Sequence, residues 1–157
     1  MLRAVVAVAL ASALLATTLP AVETTTRERT ATHVASEVDR LETAIADLRA
    51  REQAAIGPGA RRVVAVRVPG RDWTHAGVDY LAIGGTPDGR EPAKTETAFA
   101  WRVHGSDGDR RRVAGIPVEP GTCGDGALVL REPGVHRLAL RLVERGGKRR
   151  ILVRELG

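Results

Sequence analysis

A single cysteine, Cys123, excludes any disulfide within the chain and any cysteine-rich metal site. It stands far beyond the N-terminal apolar run, so it is no lipid-attachment residue behind a signal; in "PGTCGDG" a buried or semi-buried thiol is expected. Aromatics are as scarce: Trp73, Tyr80, Phe99 and Trp101 are the full set, so the core must be built from Val, Leu, Ile and Ala. Only Lys94 and Lys148 are lysines, a usage that points to a GC-rich genome.

Catalytic and ligand-binding patterns are missing too. His33, His75, His104 and His136 form no His-x-His or His-x-x-x-His pair, so the sequence assembles no metal site. "HGSDG" (104–108) carries His104 where a nucleophile elbow needs glycine, and no helix follows, which leaves Ser106 a turn serine. "DGD" (107–109) and "CGDG" (123–126) lack the later ligands of a calcium loop. The glycines spell neither a phosphate loop nor a dinucleotide fingerprint. No catalytic, cofactor-binding or metal-binding residue is assigned, and neither an enzyme nor a nucleic-acid or small-molecule partner is expected.

What the chain does have is an N-terminal stretch, Ala4 to Val22, with no charge between Arg3 and Glu23. As a helix it would span roughly 28 Å, close to a bilayer's hydrocarbon core. Pro20 would kink or end it. Read as a signal peptide instead, it offers poor cleavage sites: Leu19 spoils Ala21, and Ala16-Thr17-Thr18 is weak. The expectation is therefore a transmembrane anchor over 1–23 rather than a signal peptide. The lipid bilayer would be its partner, and the protein would sit single-pass in the cell membrane with its C-terminal part outside the cytoplasm.

Residues 24–56 read as an amphipathic helix. Val34, Val38, Leu41, Ile45 and Leu48 are spaced 4, 3, 4, 3 and form one stripe. That stripe fits either a seam to a partner helix or packing on the chain's own sheet, the latter favoured because two heptads are few for a coiled coil. Thr25 to Glu28 reads as a capping box, and three consecutive threonines favour a break before this helix; the alternative is a single helix from about residue 4 to 55, bent at Pro20. "GPG" within the linker 57–60 ends it.

From Arg61 the period shortens. "RRVVAVRVP", "VDYLAIGG", "TAFAWRVHG", "RRRVAGIPVEP" and "GALVLREPG" read as strands, and "HRLALRLVERGGKRRILVREL" as a hairpin about Gly146-Gly147. Residues 61–157 thus form an antiparallel β domain, a sandwich or partly open barrel. The fold class is α+β: a transmembrane helix, an amphipathic helix, then this sheet domain.

Charge is uneven. Residues 1–60 hold 6 Arg against 7 acids, whereas residues 61–157 hold 18 Arg or Lys against 12 acids. In the hairpin, Leu138, Leu140 and Leu142 face one way and Arg137 and Arg141 the other, with Arg154 extending the basic face from the second arm. Trp73, in "RDWTH", is a candidate contact residue, although a Trp covering the edge of the sheet is the favoured reading.

The segments "ASALLATTLPAVE" and "HVASEVDRLETAIADL", followed by an antiparallel sheet, are similar to the plan of type IV pilins and the pseudopilins of related secretion systems. The chain departs from that plan in having no basic leader with a Gly/Ala cleavage point and no glutamate early in its apolar run. Around "GARRVVAVRVPGRDW" and "VDYLAIGG" it also resembles small single-pass proteins of halophilic archaea. The resemblance implies a non-enzymatic pilin-like or secretion-associated assembly component, with other pilin-like subunits as partners. The alternative is a secreted β module that binds an anionic surface polymer through its arginine face.

Overall fold

In a computed structural model, the structure describes residues 2–52, 61–88, 96–115, 117–121, 126–145 and 147–157. The linker 57–60, Ile56, Lys94 and Cys123 lie outside them, and so do the side chains of 15–21 within the helix.

A single helix, α1 (Leu2–Glu52), replaces the two expected from sequence. The threonine run does not break it, because hydroxyls bond carbonyls of the preceding turn: Thr26 donates to Glu23 O at 2.9 Å and Thr30 to Thr26 O at 2.8 Å. Arg27 and Glu23 add an i,i+4 pair at 2.9 Å across the expected break.

The transmembrane expectation is corrected as well. Among the described residues, no helix is long and apolar enough to cross a membrane. With that span goes the single-pass cell-membrane location.

The remaining regular structure among the described residues is strand. The first sheet has the order β1 (Arg61–Val68), β7 (Gly134–Arg145), β8 (Lys148–Leu156), β5 (Val118–Pro120). The second runs β4 (Asp109–Ala114), β3 (Glu96–Val103), β2 (Val78–Ile83), β6 (Leu128–Leu130). All pairings are antiparallel except β5 with β8, which is parallel, a departure from the all-antiparallel expectation. "RRRVAGIPVEP" is not one strand but two, β4 and β5, which join different sheets. The β7–β8 hairpin turns at Gly147, whose φ of 71° suits a residue without Cβ.

Alternation does the rest. On β7, Leu138, Leu140 and Leu142 are fully buried, as are Ile151 and Val153 on β8; from the second sheet Leu81, Ile83, Phe99 and Trp101 enter the same core. The C-terminal half of α1 completes it with Val34, Val38, Leu41 and Leu48, and with Ile45 partly buried against them. The helical stripe is thus part of the chain's own core.

The helix also ties together the two sheet edges. Asp47 Oδ2 takes Arg62 Nη1 on β1 at 2.6 Å, and Asp39 and Glu42 both face Arg111 on β4. As β1 and β4 each end their strand order, these ion pairs join α1 to the edge strand of each sheet.

Candidate functional site

The helix changes character along its length. Thr30 is the first described side chain that is buried, and Arg27, just under one turn earlier, reaches Gly105 of the β domain; the described side chains before them, 4–14 and 22–25, are exposed. On that projecting half Val5, Val6, Val8, Leu10, Leu14 and Val22 are 50–66% exposed. At about 100° per residue these positions point to every side of the helix. A helix apolar all round belongs inside something, not in water. Ala7 with Ala11, and Ala9 with Ala13, add small residues four apart, which allow a second helix backbone to come close.

The foot of the projection is held firmly. Thr30 Oγ1 accepts the backbone N–H of Ala76 at 3.0 Å. Arg27 lies against Gly105 (φ 76°), where a Cβ would meet its Nε at 3.1 Å. Asp72 Oδ1 accepts from the Thr74 N–H (2.7 Å), the Thr74 hydroxyl (2.7 Å) and the His75 N–H (2.8 Å). The Thr74 hydrogen bonds are the main reason its carboxyl titrates at about 2, below the ordinary 3.8.

Three histidines far apart in sequence meet around this loop, which spacing alone did not show. His33 and His75 meet edge to face at 6.2 Å. His104 Nδ1 lies 3.0 Å from Asp79 Oδ1, and its Nε2 lies 3.3 Å from Arg71 Nη1. An arginine can only donate, so this geometry fits the tautomer with its proton on Nδ1. These contacts are with protein groups, and among the described residues no cluster of His, Cys, Asp or Glu could hold a metal ion.

A family model described as a domain of unknown function, DUF7311, matches residues 1–156. The chain belongs to that family. The match takes in the projecting helix as well as both sheets, so the two halves form one DUF7311 unit. No curated protein and no solved structure matches the chain.

In this DUF7311 chain the remaining sequence candidates fall in separate places. Trp73 is 89% exposed at the tip of the loop that Asp72 braces, rather than laid over a sheet edge. Arg137, Arg141 and Arg154 share the outer, exposed face of the first sheet. Val34, Val38, Leu41, Ile45 and Leu48 are in the core and present no free seam. Ser106 is engaged in its turn, donating its hydroxyl to Val103 O at 2.8 Å. The Cys123 loop lies outside the described residues.

Sequence reasoning missed the second lane of the helix's buried face: Thr30, Glu37 and Ala44, all at most 3% exposed. Their polarity or small size hid them from an apolar count. Their spacing of seven, two helical turns, was the available signal.

Proposed function

We propose that this protein is a non-enzymatic, pilin-like assembly subunit whose copies associate through the projecting half of α1. One observation carries the reading: a single helix is buried in its own domain along its second half and exposes large apolar side chains along its first. Water does not favour such a surface, and contiguous apolar patches of this kind mark interaction sites. The occupant that fits is the same segment of another copy. Between Arg3 and Glu23 the segment carries no charge, so like segments meet without repulsion, and its alanines allow close approach.

The second half of the helix supports the same reading. It is joined to both sheet edges by Arg62 and Arg111, so an assembly of helices would carry each β domain in a fixed orientation.

Disulfide trapping in the full chain tests this, with Cys123→Ser as background. Leu10→Cys should cross-link between copies, while Thr32→Cys, exposed on the domain-bound half, should not. Equal trapping at both positions, or none at Leu10, would refute the reading. So would a chain that enters lipid vesicles as single copies without self-association.

A further inference from the structure

The outer face of the first sheet has a feature the assembly reading does not use. β1–β7 pairing puts Arg61 directly opposite Arg141, and Arg67 opposite Val135. β7–β8 pairing puts Arg154 opposite Ala139, between Arg137 and Arg141. All five arginines are exposed, and none has an ion-pair partner among the described residues. The described acid on that face is Glu119, whose strand position pairs with Leu152, and Arg150 already engages it.

This is an unusual surface for a sheet to keep. Like charges directly opposite one another destabilise strand pairing, and Arg61–Arg141 is such a pair. The outer face of the second sheet contrasts with it. There Arg102 lies over the Tyr80 ring at 5.4 Å, and Arg112 faces Glu96 at 4.0 Å.

We infer that the β1–β7–β8 face binds an extended polyanion laid along β7. Arginine's planar fork suits carboxylate and phosphate groups, which it can hold by two parallel hydrogen bonds. Arg137, Arg154 and Arg141 follow one another at steps of two residues, about 7 Å each. The ligand is therefore a linear chain with an anionic group about every 7 Å. Nucleic acid fits less well, because the four aromatic residues of the chain lie on the second sheet or the Trp73 loop, leaving this face without a base-stacking platform. Val63 and Val135, both exposed on this face, give the backbone of such a polymer apolar contact.

Poly-glutamate is the probe, titrated against the full chain at low and physiological salt, with free glutamate, anionic vesicles and single-stranded DNA as comparisons. Binding should saturate, weaken steeply with salt, and be absent for free glutamate. Arg137→Gln/Arg141→Gln/Arg154→Gln should weaken it at least tenfold. Arg102→Gln/Arg110→Gln/Arg112→Gln removes the same charge from the other sheet and should leave it within about twofold. Such a difference separates a local site from net charge alone. Equal loss in both variants would overturn the inference, as would stronger binding to vesicles or DNA, or no poly-glutamate binding at low salt. Arg154→Gln alone, read by the same titration, serves if the first triple variant fails to fold.

Discussion

Thr30 Oγ1 accepts the backbone N–H of Ala76 at 3.0 Å and donates its own O–H to Thr26 O at 2.8 Å, so one buried hydroxyl satisfies both the helix and the loop at the foot of the projection. Thr30→Val keeps the shape but strands the Ala76 N–H. A stranded buried donor costs about 1–3 kcal/mol. Chemical denaturation should show a loss in that range, and Thr30→Ser should recover most of it. An unchanged midpoint for Thr30→Val would mean that the loop does not depend on the helix.

Leu41 is 1% exposed in the middle of the helical stripe. Truncation to Ala should destabilise the protein by about 2–5 kcal/mol, and Leu41→Asp, which buries a charge without a partner, should cost at least as much. Thermal melts check both. Variants that kept full stability but lost self-association would make the stripe an intermolecular seam and contradict the packing described above.

His136 gives the fold a pH dependence of definite sign. Burial pulls its pKa down, but hydrogen bonds to the Glu155 carboxylate and the Glu132 carbonyl, with the charges of both residues, outweigh that and raise it above 6.5. A raised folded-state pKa means that the stabilisation is complete below 6.5 and is lost as pH rises through the folded value. Melting temperatures followed upward from mildly acidic pH should therefore fall more for the native chain than for His136→Gln. A native chain with the same profile as the variant would show that the His136–Glu155 contact does not couple to folding.

How much of this was legible from residues alone follows from the range of the forces involved. The β7–β8 hairpin was readable because its register depends on a local turn and on Leu138, Leu140 and Leu142 alternating with Arg137 and Arg141. The division of "RRRVAGIPVEP" between two sheets was not, since β5 is placed by a parallel pairing with β8 that no local signal marks. The break expected at the threonines failed for a local reason, because back-bonding hydroxyls can sustain a helix as well as cap one. The arginine face was half legible. Arg137 and Arg141 follow from strand period, but Arg61 joins them only through the long-range β1–β7 pairing. The gathering of His33, His75 and His104 has the same cause, since it needs the helix laid against the 71–77 loop.

The central claim is that the projecting half of α1 is where copies meet, and sedimentation of the full chain over a range of concentrations tests it most directly. The native protein should associate as concentration rises. Val6→Asp/Leu10→Asp, changing two exposed residues outside the β-domain core, should sediment as a monomer with an unaltered melting temperature. A native chain that stays monomeric at its highest soluble concentration, or a double variant that associates as strongly as the native one, would contradict the account.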